Sequence, residues 1–238
     1  MKKAIVVGAS SGIGRALSCK LAAEGYALGL MARRKPLLDE LQAELGPEAR
    51  VRPTDVAATD AAMTDLRALI QEMDGVELIV ICAGVGHLNP ELDWGQERET
   101  IDVNVTGFCA LANVAMHHFG QRGSGHLVNI SSISALRGGR HAPAYNASKA
   151  FESSYMEALR GRNAHQQADV CVTDIQPGFV DTPMAKSPDK FWVATPEEAA
   201  RQIYRAIRAR RSHAYVTRRW RLIAWLLKCL PNALYDRM

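Results

Sequence analysis

Tyr145 and Lys149 stand four residues apart in the stretch "YNASK". On a helix that spacing stacks two side chains on one face, about 5 to 6 Å apart. A neighbouring ammonium favours a phenolate and brings a phenol toward the working range of a general acid/base. Such a pair also arises by chance, so it needs company. Near the start, "GASSGIG" spaces Gly8, Gly12 and Gly14 as G-x-x-x-G-x-G around Ser10, Ser11 and Ile13. Glycines allow a tight turn and close backbone approach, and the N–H groups of a following helix attract a pyrophosphate. Farther on, "LMARRK" puts Arg33 and Arg34 where a site choosing NAD carries an acid; arginine there suits a 2′-phosphate, so NADP(H) is favoured while NAD(H) stays open. The plainer reading is that one or both arginines solvate the turn.

These residues follow apolar, β-branched runs. "KAIVV", "ALGLMA", "VRPTDV", "ELIVICAG", "GHLVNISS" and "DVCVTDIQPG" alternate with helical patterns such as "GIGRALSCKLAAEG" and "TPEEAARQIYRAIRAR". That rhythm predicts an α/β fold: a Rossmann-like doubly wound parallel sheet of about seven strands with helices on both faces. Ligands of such sheets bind beyond the carboxyl ends of the strands, where the strand order reverses.

At 238 residues, 47% hydrophobic and 23% charged, the chain reads as one globular domain. Five scattered cysteines without a C-x-x-C pair fit a reduced, cytoplasmic protein and oppose a disulfide framework or zinc site. Adjacent His117 and His118 are poorly spaced for joint ligation, and no metal is expected. The opening "MKKAIVVG" has too short an apolar run for a signal peptide. Charge is uneven: from Arg201 onward nine Arg and one Lys face one acid, Asp236, giving +9, so with a total of +4 the first 200 residues carry −5.

Taken in order, "GASSGIG", "DV" at 55 and 56, "CAG" at 82 to 84, "VNVTG" at 103 to 107, "NISS" at 129 to 132, "YNASK" and "PGFVDTPM" at 177 to 184 resemble the motifs of the short-chain dehydrogenase/reductase family, in its NADP-preferring type. The likeness runs from residue 3 to about 217. It implies an oxidoreductase interconverting a carbonyl and a secondary alcohol by hydride transfer. Tyr145 would be its proton donor or base, and Lys149 would bind the nicotinamide ribose. Ser132, thirteen residues before Tyr145, would hold the substrate oxygen, with Ser131 as rival. Asn104 would steady a helix and a water of a proton relay. Asp55 and Val56 would edge the adenine, and Ala83 and Gly84 would lie under the ribose, with Cys82 beside them. Pro177, Gly178, Val180 and Thr182 would frame the nicotinamide. Val7 and Cys82 depart from the family's common Thr and Asn, which bears on cofactor affinity or local rigidity.

Segments 134–143 and 182–196 would border a small-molecule substrate. Met184, Phe191 and Trp192 are candidates for an apolar lid, and Arg137, Arg140 and His141 for meeting a negative group; core capping and solvated cations are the alternatives. Residues 1–217 read as the catalytic part and 218–238 as a basic, apolar helical extension. Arg218, Arg219, Trp220, Arg221 and Trp225 suit a helix lying at an anionic membrane surface, at the inner face, or else packing on the body or on a second subunit. By the resemblance, helices over 101–119 and 145–162 would join a homodimer or homotetramer. No nucleic-acid motif accompanies the basic tail. A non-catalytic dinucleotide sensor or scaffold is the rival function, since fold alone does not establish activity.

Overall fold

The computed structural model describes residues 1–165, 168–184 and 191–235. Seven parallel strands form one sheet in the order β3-β2-β1-β4-β5-β6-β7, with β1 at Lys2–Val7, β2 at Tyr26–Ala32, β3 at Arg50–Pro53, β4 at Leu78–Ile81, β5 at Ser124–Ile130, β6 at Asp169–Pro177 and β7 at His213–Val216. Six follow the apolar runs quoted above. The seventh, "HAYV", is short and only part-buried, so hydrophobic patterning alone does not mark it.

Alternation along β1 shows how both faces are covered. Ala4 and Val6 enter one apolar cluster with Leu17 and Leu21 of α1 (Gly12–Ala23), Leu38 and Leu41 of α2 (Lys35–Leu45), and Ile203 of α7 (Pro196–Arg208). Ile5 and Val7 enter the other, with Leu66 and Leu69 of α3 (Thr59–Glu72), Phe108, Leu111 and Phe119 of α5 (Phe108–Arg122), and Met156 of α6 (Pro143–Ala164). Successive strand side chains point to opposite faces, so one strand serves both cores. Val7, where the family pattern has Thr, is therefore a core residue with no exposed surface.

The strand order reverses between β1 and β4, each beside the other and winding outward in opposite directions. A crevice opens there at the carboxyl ends. The helix α4 (Trp94–Ile101) runs into a π-helical segment, Asp102–Gly107, before α5, and a 3₁₀ turn, Ile133–Leu136, follows β5. After β7 come α8 (Trp220–Cys229) and the short α9 (Asn232–Tyr235).

One buried titratable group makes the fold acid-sensitive. His126 on β5 is 7% exposed and shares a 2.7 Å hydrogen bond with the Thr173 hydroxyl. Burial, reinforced by the Arg210 cation, pulls its pKa from 6.5 to about 4. The unfolded chain thus takes up a proton near 6.5 that the folded chain refuses, and stability falls as pH drops from there to about 4. The loss is on the order of 3 kcal/mol. Urea unfolding at about pH 7 and pH 4.5 is expected to show it, and His126→Gln to flatten the slope; an unchanged slope would assign the acid sensitivity elsewhere.

Candidate active site

The glycine turn is shaped by what a side chain would strike. Gly8 (φ +89°) and Gly12 (φ +53°) occupy the left-handed region. A Cβ on Gly8 would stand 2.6 Å from the Ala83 nitrogen, and one on Gly12 2.9 Å from Thr182 Cγ2. A Cβ on Gly14 would run into the Gly8 carbonyl. The loops after β1, β4 and β6 therefore meet at contact distance only because these positions are glycine. Ser11 precedes α1 without capping it through its hydroxyl, which leaves the first-turn amides free of a side-chain partner. Arg34 Nη2 instead donates to Ser10 Oγ (3.0 Å) and Ser11 Oγ (2.6 Å), and Arg33 pairs with Asp55 at 4.0 Å.

From this turn a cleft of about 580 Å³ runs to Tyr145. That is ample for a small-molecule or cofactor site. Gly8, Ser10, Ser11, Gly12, Ile13, Arg33 and Arg34 line one end; Asp55, Val56, Cys82, Ala83 and Gly84 follow; Ser131, Ser132, Tyr145, Lys149, Pro177, Gly178, Val180 and Thr182 line the rest. Gly14 and Asn104 stand behind the wall. Asn104, in the π-helical segment, accepts from the Val85 N–H (2.9 Å) and donates to the Val85 carbonyl (2.8 Å) and Ser148 Oγ (3.0 Å). It thereby ties the loop after β4 to α6. A single-turn π insertion is a common mark of a functional segment.

The two serines part company. Ser131 Oγ is turned into the sheet, its one proton shared between Asp174 Oδ1 (2.6 Å) and the Ile175 carbonyl (3.0 Å), whereas among the described residues Ser132 Oγ accepts only the Ser134 N–H (3.1 Å). Ser132 keeps its own proton available.

On α6 the Lys149 ammonium lies 6.0 Å from the centre of the Tyr145 ring. Its other neighbour is a group that motif reading misses. Lys149 Nζ donates to Glu152 Oε1 (2.8 Å), Glu152 Oε2 (3.1 Å) and the Ile130 carbonyl (3.2 Å), and Asn129 Nδ2 donates to Glu152 Oε2 (2.9 Å). Glu152 is 1% exposed and Lys149 3%. Burial alone would lower the lysine, but the Glu152 charge, helped by other neighbours, holds it above its ordinary 10.5. Burial pushes Glu152 up, against the pull of Lys149 and Asn129. Burial also pushes the Cys82 thiol up to about 12, leaving it protonated at neutral pH.

Three more residues belong to the site. Gly86 lets the loop lie against the phenol, since a Cβ there would be 2.9 Å from Tyr145 Cδ2. His87 and Glu99, joined at 2.8 Å, line the cleft as well. Position is the sequence signal for Gly86 and His87, since "VGH" directly follows "CAG" at a strand end; Glu99, on α4, carries none.

The substrate-loop candidates separate. Met184 lines the cleft, and residues 185–190 lie outside those described. Phe191 and Trp192 join Phe179 and Trp220 in an aromatic cluster, with centroids 5.0 Å apart for Phe191 and Trp220. Arg137 stacks 4.5 Å over Tyr235 and donates to Asn232, while Arg140 Nε donates to His141; none of the three lines the cleft. The tail thus packs on the body through Trp220, Ala224 and Tyr235.

Residues 2–191 match the short chain dehydrogenase family. An uncharacterized oxidoreductase of Myxococcus xanthus is 37% identical over 245 aligned residues, covering 99% of this chain and 95% of that protein. Among solved structures, an alcohol dehydrogenase from the archaeon Thermococcus sibiricus, complexed with 5-hydroxy-NADP, superposes with a TM-score of 0.78 at 27% identity over 87% of this chain and 91% of that one. A 3-ketoacyl-(acyl-carrier-protein) reductase from Brucella melitensis, complexed with NADH, gives a TM-score of 0.83 at 22% identity over 91% and 98%, a likeness of fold. The chain belongs to the short-chain dehydrogenase/reductase family and is an oxidoreductase of that class. Among the described residues no helix is long and apolar enough to cross a membrane, and no cluster of three or more His, Cys, Asp or Glu is placed to hold a metal.

Proposed function

We propose that the protein is an NADP(H)-dependent oxidoreductase interconverting a carbonyl and a secondary alcohol. The observation that carries this reading is the single cleft joining the arginine-bordered glycine turn to Ser132, Tyr145 and Lys149. Its cradle fits a dinucleotide, because the positions a Cβ would fill are glycine. Uncapped α1 amides would hold the pyrophosphate, Arg33 and Arg34 the 2′-phosphate, and Lys149 the nicotinamide ribose. Bound there, the nicotinamide supplies or accepts the hydride. Ser132 orients the substrate oxygen by its free O–H, and Tyr145 gives that oxygen a proton or takes one from it. Met184, His87 and Glu99 border the space left for substrate.

Titration with NADPH and NADH, followed by nicotinamide fluorescence, tests the cofactor assignment. NADPH is expected to bind more tightly, and Arg34→Ala to weaken NADPH by roughly tenfold or more while leaving NADH within about threefold, the pattern of a lost charge-assisted phosphate contact. Equal weakening of both would assign Arg34 to holding the Ser10–Ser11 turn instead. Assembly into a dimer or tetramer through α5 and α6 belongs to the same proposal; the half-exposed Phe151, stacked on Tyr155, is its apolar contact.

A further inference from the structure

We propose that the outer face of α8, with the arginine groove beside it, docks the protein on an anionic phospholipid surface. A helix packed on a globular body ordinarily turns its apolar stripe inward and polar residues outward. This one is apolar on both sides. Trp220 and Ala224 are buried, yet Leu222 and Trp225 are each 69% exposed and Leu226 is 50% exposed. At 100° per residue the three fall on the side opposite Trp220 and Ala224, so they form one stripe rather than scattered exceptions.

The charge beside that stripe is of one sign. From residue 201 to 235 the sequence carries eight Arg and one Lys and no acid. Arg205, Arg211, Arg218 and Arg221 converge with His213 and Tyr215 on a groove of about 450 Å³ between α7, β7 and α8. Nearby Arg201 and Arg210 are neutralised by Glu198 and Asp169, but among the described residues none of the four groove arginines has a carboxylate partner. Arg221 is adjacent in sequence to Leu222, so groove and stripe share one edge of the helix. An unpaired guanidinium cluster beside exposed indole and leucine side chains fits phosphate headgroups over acyl chains. Ten residues extend only about 15 Å, so the helix lies in the interface and does not cross it.

Docking also has a route to the cleft. Trp220 heads α8 and lies against Gly178, where a Cβ would collide with the indole; Gly178 lines the cleft. The helix offered to the membrane is thus part of the packing behind the site.

Co-sedimentation with vesicles tests the proposal, using phosphatidylcholine with about one third phosphatidylglycerol against phosphatidylcholine alone, at low and high salt. The full chain is expected to bind the anionic vesicles at least tenfold more tightly, and salt to weaken binding. Leu222→Glu with Trp225→Glu is expected to abolish it, and Arg218→Glu with Arg221→Glu to weaken it by about tenfold or more. All four positions are exposed, and unchanged thermal melting and NADPH titration show that each variant is folded. Failure of the full chain to bind anionic vesicles overturns the proposal, as does binding indifferent to both variants. So does a wild-type oligomer that ignores vesicles and dissociates on Leu222→Glu with Trp225→Glu, which assigns the stripe to a second copy of the chain.

Discussion

Tyr145→Phe leaves NADPH binding within about twofold of the parent and lowers turnover of every accepted substrate by roughly 10² to 10⁴, the span general acid/base catalysis supplies. The substitution removes one oxygen from a ring whose faces are already placed, against Gly86 on one side and with the Lys149 ammonium 6.0 Å from its centre. Packing is therefore preserved and the proton donor is lost. Ser132→Ala gives the companion result. It removes an O–H that has no competing acceptor among the described residues, unlike that of Ser131, which is spent on Asp174 and Ile175. Ser131→Ala is expected to act on stability instead, because it leaves a buried carboxylate short of a donor. Stopped-flow turnover beside fluorescence titration separates these readings. A Tyr145→Phe enzyme as fast as the parent would remove the assigned acid/base and leave the mechanism to another group.

Legibility from sequence differed by the length scale of the signal. β1, β2 and β4 are buried on both faces, so their runs are nearly continuous in apolar residues, and the glycines after β1, β4 and β6 punctuate the crevice. Tyr145 and Lys149 were readable because a helix turns an i, i+4 spacing into a shared face. Glu152 was not. A charged residue amid "AFESSYMEALRGR" looks like the solvated side of a helix, and only the pairing of α6 with Asn129 of β5 makes it interior. The π-helical segment also escaped, since "DVNVTG" carries no periodicity distinguishing i+5 from i+4 bonding. The residues of the tail suit membrane, subunit and body alike. Tertiary contact decides that Trp220 is interior and Trp225 is not.

Glu152→Ala is expected to cost about 3 to 5 kcal/mol, because it strands the Lys149 ammonium in the interior with the Ile130 carbonyl as its remaining protein acceptor. For a chain of this size that is a fall in melting temperature on the order of 10 °C. Glu152→Gln keeps the shape and one acceptor oxygen but loses the charge and turns the other acceptor into a donor, so it falls between parent and Ala. The pH dependence follows from both partners. The lysine's folded pKa lies above 10.5, so its share is lost as pH rises through that folded value, and burial holds the Glu152 carboxyl above its ordinary value, so the ion pair is also broken as pH falls through that raised value. Stability alone does not account for keeping such a pair. An interior ion pair replaced by apolar groups of similar volume is often neutral or stabilising, by about 1 to 4 kcal/mol. Lys149→Met with Glu152→Leu is therefore expected to melt at or above the parent temperature while turnover is lost. If that double variant melted as low as Glu152→Ala, the pair would be a scaffold element. If it melted high and inactive, the carboxylate serves to hold a charged lysine at the one place in a dry interior where Tyr145 needs it.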